Sequence, residues 1–277
     1  MRWHAELAGR KHGDLHRLVN TLQKTGHKDC VLHMKPAEEN QLTIALRSEP
    51  GRPGGGAAEV WCTLAVDQWF DRYEISSMSE DNIFLELTVE NLAQAMKAAD
   101  KADNISLKLA KKPMPCISVE LKFMMTKIDH TVPVDVWTRS KIQTDPLLEP
   151  VVTPPDQLVW LPQLQKLYHL CERLSKIDST VYISCDWASS ELSFRVETDV
   201  TAFTAKYKVK TNAEPGAEAD GLEVAVDIKM LAKILNCYQV NCKHAVMGIM
   251  DEVILMQITA GGRDELQVTY YVPTLVV

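Results

Sequence analysis

The chain has 277 residues, 46% of them apolar and 24% charged, which is the composition of an ordinary folded protein with room for one large or two medium cores. No run of 18 or more apolar residues occurs, so no membrane span is expected. Seven scattered cysteines argue against a disulfide framework and for a reducing, intracellular compartment. The net charge of −7 would by itself argue against a nucleic-acid partner.

In chain order, Leu15, Leu18, Val19 and Leu22 form one apolar helical stripe, with Gly13-Asp14 and Gly26 as start and stop signals. Strands are predicted at 30–34, 41–46, 59–66 and 83–87, the third alternating cleanly through Glu59-Val60-Trp61-Cys62-Thr63-Leu64. Thr88 stands where a helix cap belongs, and 89–99 reads as a helix with Leu92, Ala95, Met96 and Ala99 inward. Strands at 105–109, 116–123 and 130–136 complete a first domain over 1–137. Residues 138–157 contain four prolines and little periodicity, and read as an extended linker. The second domain, 158–277, opens with an apolar stretch at 158–161 and a helix from Pro162 whose stripe is Leu164, Leu167, Leu170, Leu174 and Ile177. Strands at 180–185, 191–198 and 201–209 follow, then an Ala/Glu/Gly loop at 211–221, a strand at 222–226 and a helix at 227–238. Strands at 244–250, 253–260 and 266–272 close the chain.

The two halves repeat one another. Leu15, Leu18, Leu22 and Val31 have counterparts in Leu167, Leu170, Leu174 and Val181. Leu85-Glu86-Leu87-Thr88 leading into Leu92 and Met96 is echoed by Val224-Ala225-Val226-Asp227 leading into Leu231 and Leu235. Many strands with two helices per half indicate an α+β fold with antiparallel sheets and the helices gathered on one side.

Local catalytic or metal signatures are weak. Gly51-Arg52-Pro53-Gly54-Gly55-Gly56 is followed by Ala57-Ala58 and a strand rather than by Lys, Ser or Thr and a helix, so it reads as a loop and not a phosphate cradle. Cys237, Cys242 and His244 lack the second ligand pair of a zinc site. His33 and Asp129-His130 have no nucleophile in a suitable setting, and Glu38-Glu39 and Asp251-Glu252 lie at expected hairpin turns. No cofactor or metal is expected.

Charge is unevenly placed. The helical windows 10–28, 89–101, 162–176 and 227–243 carry +4, 0, +2 and +2, leaving −15 for the rest of the chain. Lysine and arginine on solvated helix faces are common, so this alone decides nothing. If the four helices line one surface, however, their cations suit phosphate contact without base readout. Aromatics for stacking bases are absent from these helices apart from Tyr168 and Tyr238.

With these features the chain resembles the DNA sliding clamps, the family of proliferating cell nuclear antigen. It is most similar to the Hus subunit family of the heterotrimeric checkpoint clamp. The residues that carry the resemblance are Val60-Trp61-Cys62, the run from Ile83 to Leu92, Leu148-Glu149-Pro150-Val151-Val152 and Tyr271-Val272-Pro273. The resemblance implies a DNA-clamp fold of two tandem domains, helices inside and antiparallel sheets outside. It implies a non-catalytic subunit that joins two related clamp subunits around duplex DNA without sequence specificity, chiefly in the nucleus with a cytoplasmic pool. A dedicated ATP-driven loader would place the ring at recessed junctions, where it would recruit repair enzymes and checkpoint mediators. The DNA-facing residues would be His16, Arg17, Lys97, Lys176 and Lys229, followed by Arg10, Lys24, Lys166, Arg173 and Lys233. Subunits would join by edge-strand addition, with His130, Val132, Val134 and Val136 on one edge and Val181, Ile183 and Cys185 on the other. Pro133 would then occupy a position that needs no ladder amide. A homotrimeric replicative clamp and an enzyme on a duplicated scaffold are the alternatives; the enzyme requires a polar constellation that the sequence does not show.

Overall fold

A computed structural model describes residues 1–47, 57–78, 81–155, 157–212, 222–262 and 265–275. The glycine-rich stretch at 51–56 and most of the 211–221 loop lie outside the described residues. Two compact units form, and the chain leaves the first for the second between Glu149 and Pro150; Gly261, Gly262 and 265–267 belong to the first.

The first half contains β1 (Arg2–Leu7), α1 (His12–Lys24), β2 (Asp29–Met34), β3 (Gln41–Leu46), β4 (Glu59–Ala65), the single turn α2 (Val66–Trp69) and β5 (Phe70–Ser76). It continues with β6 (Ile83–Thr88), α3 (Val89–Ala95), β7 (Asn104–Lys111), β8 (Pro115–Lys122), β9 (Lys127–Pro133), β10 (Asp135–Val136) and α4 (Arg139–Thr144). The second half has β11 (Val159–Trp160), α5 (Leu164–Leu174), β12 (Thr180–Asp186), β13 (Glu191–Glu197), β14 (Ala202–Lys208), β15 (Lys210–Thr211), β16 (Glu223–Asp227) and α6 (Ile228–Leu235). β17 (Cys242–Ile249), β18 (Val253–Ala260) and β19 (Leu266–Pro273) complete it.

The strand order β5-β1-β7-β8-β9 recurs as β15-β11-β17-β18-β19, and the order β6-β2-β3-β4 recurs as β16-β12-β13-β14. The repeat seen in the leucine spacings is therefore a repeat of topology. Helices follow the same rule: α1 packs against α3 and the 3-10 turn Ala99–Lys101, while α5 packs against α6 and the 3-10 turn Asn236–Val240. Leu15, Leu18, Val19 and Leu22 are buried along α1, as expected of an i, i+3, i+4, i+7 stripe. In α5 the buried positions are Leu164, Leu167, Cys171 and Leu174; Leu170 sits at the margin of that stripe and is only half-buried, and Ile177 lies beyond the helix end and is exposed.

Several elements differ from expectation. Arg2-Trp3-His4-Ala5-Glu6-Leu7 alternates with Trp3, Ala5 and Leu7 buried, and forms a strand absent from the predicted elements. β5 is a second unpredicted strand. The helix predicted at 89–99 stops at Ala95, and a short 3-10 turn follows at Ala99–Lys101. Thr88 does not cap it, since its hydroxyl donates to Asp29 at 2.9 Å; Asp227, at the equivalent place in the repeat, does cap α6 through the Met230 amide at 2.7 Å. The expected linker contains α4, whose first turn is closed by Thr138 accepting the Lys141 amide.

A buried ion pair holds the turn before β19 in the first unit. Lys11 pairs with Glu265, both side chains only 10% exposed, and its ammonium lies 5.2 Å from the centre of the Trp69 ring. The Glu265 carbonyl accepts the Trp69 indole N–H at 2.9 Å and the Ala65 amide at 3.1 Å. Removing one member of such a pair strands a charge in a dry site, which costs about 3–5 kcal/mol, whereas an apolar replacement of both is far milder. Glu265→Ala should lower unfolding free energy in urea by about that amount, and Lys11→Met with Glu265→Leu should recover most of it.

Acid–lysine pairs lace two edge strands to their neighbours. Glu120 of β8 meets Lys127 of β9 at 2.7 Å, and Glu191 of β13 meets Lys208 of β14 at 3.2 Å. The Lys127 ammonium holds the Glu120 carboxyl below its ordinary value of 4.5, and Lys208 does the same for Glu191. Carboxyls depressed in the folded state stabilise it above the ordinary carboxylate value, and that contribution is lost as pH falls through the depressed one. Stability should therefore drop as pH falls below about 4.5. Glu120→Gln with Glu191→Gln should flatten that drop in urea titrations run across this range.

Candidate nucleic-acid interface

Burial of the apolar stripes fixes the opposite faces of the helices. On α1, His16 and Arg17 are partly exposed and Lys24 is exposed at its C-terminal end. Arg10 is exposed in the preceding 3-10 turn, donating weakly to the Gln68 carbonyl at 3.5 Å. Lys97 is exposed, but it follows α3 instead of lying on it. Lys166 and Arg173 are exposed on α5, Lys176 just beyond its end, and Lys229 and Lys233 on α6. All ten predicted cationic positions thus reach solvent on or beside helices.

Their surroundings set them apart. Arg17 pairs with Asp14 at 2.5 Å and the His16 ring meets the Asn20 amide at 2.8 Å. Among the described residues, no carboxylate lies within ion-pair distance of Arg10, Lys24, Lys97, Lys166, Arg173, Lys176, Lys229 or Lys233. Many cations elsewhere are laced to acids: Arg72 to Glu74, Lys122 and Lys127 to Glu120, Lys141 to Glu86, Arg195 to Glu223, and Lys206 and Lys208 to Glu191. Unpaired surface cations keep their full charge for an external anion, while paired ones are already compensated. His169 stands among these positions but is not free: its ring meets the Glu172 carboxylate at 3.5 Å. It falls between Lys166 and Arg173 at i+3 and is 52% exposed at its side chain. A count of lysine and arginine alone misses it, although the i, i+3, i+7, i+10 spacing with Lys176 is legible in the sequence.

The strand edges need correction. β12, which carries Val181, Ile183 and Cys185, pairs with β13 on one side and β16 on the other, and these three side chains are at most 1% exposed. With every ladder group used, no further strand can add to it. The open edge of that sheet is β14, since the other edge strand, β16, accepts the Leu275 amide at Ala225. In the first unit the predicted 130–136 strand is two strands in different sheets. β9, carrying His130 and Val132, ends at Pro133; buried Val134 follows, and Val136 lies in β10 paired to Leu85 of β6.

Backbone polarity identifies the groups that β9 and β14 present. The Val134 amide donates to the Pro115 carbonyl, so even-numbered β9 residues bond to β8, and Lys127, Asp129 and Thr131 turn N–H and C=O outward. Pro133 falls in the outward set, so its missing N–H costs the inner ladder nothing. The Val209 amide donates to the Ser190 carbonyl, which turns Ala202, Thr204, Lys206 and Lys208 of β14 outward in the same way.

The candidate catalytic residues are dispersed. His33 stacks on Phe84 with ring centres 3.9 Å apart, bonds to Asn82, and titrates below its ordinary value because it is buried. Burial pushes the Cys30 and Cys171 thiols up to about 12 and Cys242 up to about 11, away from reactive thiolate. The Cys242 thiol donates to the His244 carbonyl, and among the described residues no group of three His, Cys, Asp or Glu side chains is placed to hold a metal ion.

Comparison with known proteins agrees with this geometry. The family model described as Hus1-like protein matches residues 1–276. The chain is 28% identical over 274 residues to the human checkpoint protein HUS1, covering 94% of each, and 27% identical over 206 residues to checkpoint protein hus1 of Schizosaccharomyces pombe, covering 72% of this chain and 68% of that one. Among solved structures it is similar to the proliferating cellular nuclear antigen of Entamoeba histolytica, with a TM-score of 0.73, 11% identity and 99% of each chain covered. It is likewise similar to a chain of the PCNA2-PCNA3 complex of Sulfolobus tokodaii, with a TM-score of 0.70, 11% identity and the same coverage. At that identity the structural likeness shows the clamp fold and nothing more, whereas the match along nearly the whole sequence shows that the chain belongs to the Hus1-like protein family.

Proposed function

We propose that this chain is a non-catalytic subunit of a ring-shaped, heterotrimeric DNA checkpoint clamp that encircles duplex DNA at damaged or stalled junctions. The observation that carries the reading is the set of uncompensated cations on the helices of both repeats. Such a surface attracts phosphate by charge alone, which suits a ring that must slide. The relatives named as checkpoint proteins support this over a homotrimeric replicative clamp. A dedicated loader, repair enzymes, checkpoint mediators and a nuclear site of action follow from the same reading.

The two open edges supply the joints. Within the first unit, the Ala65 amide at the end of β4 donates to the Glu265 carbonyl beside β19, the counterpart of β9. β14 is the counterpart of β4 and, among the described residues, has no such strand beside it. A neighbouring subunit's equivalent of β9 completes β14, and this chain's β9 completes the neighbour on the other side.

Native mass spectrometry of the complex from its own cells should give one copy of this chain with two different chains of similar size. Three copies of this chain alone would sink the heterotrimer. On the assembled ring, reversing Lys97, Lys166, Lys176 and Lys229 to glutamate should lower the slope of log affinity against log salt for duplex DNA by about 3 to 4, near 0.9 for each phosphate no longer neutralised. An unchanged slope would remove the helices from the DNA surface. Lys206→Pro removes an outward N–H of β14 and an exposed ion pair to Glu191 but no bond of the inner ladder, so this chain should nearly keep its circular-dichroism melt while its ring assembly in analytical ultracentrifugation falls at least tenfold.

A further inference from the structure

Two tyrosines interrupt the cationic helical surface of the second unit. Tyr168 of α5 and Tyr238 of the 3-10 turn after α6 lie with ring centres 5.4 Å apart at 48°, and both are partly exposed. The Tyr168 hydroxyl donates to Glu172 one helical turn on, at 2.7 Å, which fixes its ring in place. Matching Leu15 to Leu167 and Leu92 to Leu231 puts His16 and Ala99 at the equivalent positions of the first repeat. The aromatic pair is therefore particular to one unit and is not something the fold needs twice.

Cations flank the pair on both sides. Lys166 and Arg173 are exposed on α5. On the other side, Tyr238 lines an open cleft with Gln163, Leu164, Cys242 and Lys243. A ring pair with apolar faces, a recess beside it that Lys243 also lines, and exposed cations on the same helix meets the two needs of an unstacked nucleotide, a π surface and a counter-charge for its phosphate. Duplex DNA offers no exposed base face and gains nothing from such a pair. Backbone contact alone would be served as well by another lysine.

We infer that Tyr168 and Tyr238 form a stacking platform for an unpaired base of single-stranded DNA, giving one unit of this subunit a preference for junctions over continuous duplex. The inference rests on the reading of the helical surface as the DNA face and assigns it a second, strand-state-dependent element.

The test uses the assembled heterotrimer and three fluorescent DNAs: a blunt duplex, a recessed duplex with a single-stranded arm, and an oligothymidine strand. Tyr168→Ala with Tyr238→Ala should weaken binding to the oligothymidine and the armed duplex by about five- to a hundredfold, the range for losing one stacked base, and leave the blunt duplex within twofold. Tyr168→Phe with Tyr238→Phe should retain wild-type affinity within about twofold. In the unaltered ring, ultraviolet crosslinking of iodouracil-substituted single strand should map to Tyr168 or Tyr238, a readout that needs no variant to fold. Unchanged single-strand affinity in the alanine pair, equal loss on all three DNAs, or crosslinks elsewhere would overturn the platform while leaving the channel standing. Failure of the unaltered ring to bind any of the three DNAs would overturn both.

Discussion

Burying the apolar stripes of α1 and α5 determines where the charge of this protein can act. Once Leu15, Leu18 and Leu22, or Leu164, Leu167 and Leu174, turn into a core, a helix has one remaining direction for its long polar side chains. His16, Arg17, Lys24, Lys166 and Arg173 go there with no freedom to do otherwise. An acidic chain can thus carry a cationic surface, because the helices sort charge by face while several strand cations, among them Lys127, Arg195 and Lys208, are paired with acids. Net charge is a poor guide to partners in a protein whose charges are segregated in this way.

The second constraint is backbone satisfaction. A sheet interior uses every N–H and C=O, so a joint between subunits can form only where the fold leaves a row of them open. β9 and β14 meet that condition and β12 does not, however suitable its apolar pattern looks. An open edge is also a hazard, because any exposed strand can pair with it. The Glu120–Lys127 and Glu191–Lys208 pairs hold these edges against their own sheets and place charge beside them, which disfavours pairing with stray strands.

Duplication gives two copies of one topology but not two identical surfaces. Among the described residues, the buried Lys11–Glu265 pair with Trp69 beside it occurs in one half only, as does the tyrosine pair in the other. A homotrimer of identical repeats could not distinguish one joint or one arc of its channel from the next. Divergence between repeats supplies such distinctions without altering the shared framework of strands.

The duplication, the α+β class, the four helices and the helical cations are all legible in the amino-acid sequence, because leucine periodicity and charge are local properties that survive without knowledge of contacts. β1 is legible too, in the alternation from Arg2 to Leu7, although it stands outside the predicted elements. Strand neighbours are not legible. Val181, Ile183 and Cys185 alternate as any half-buried strand does, and nothing local to them records that β13 and β16 occupy both their flanks. The split of 130–136 between two sheets, the approach of Lys11 to Glu265 and the meeting of Tyr168 with Tyr238 are equally silent in sequence. Each joins residues far apart along the chain, and such pairings are chosen by the closing of the whole fold, not by the propensity of either segment.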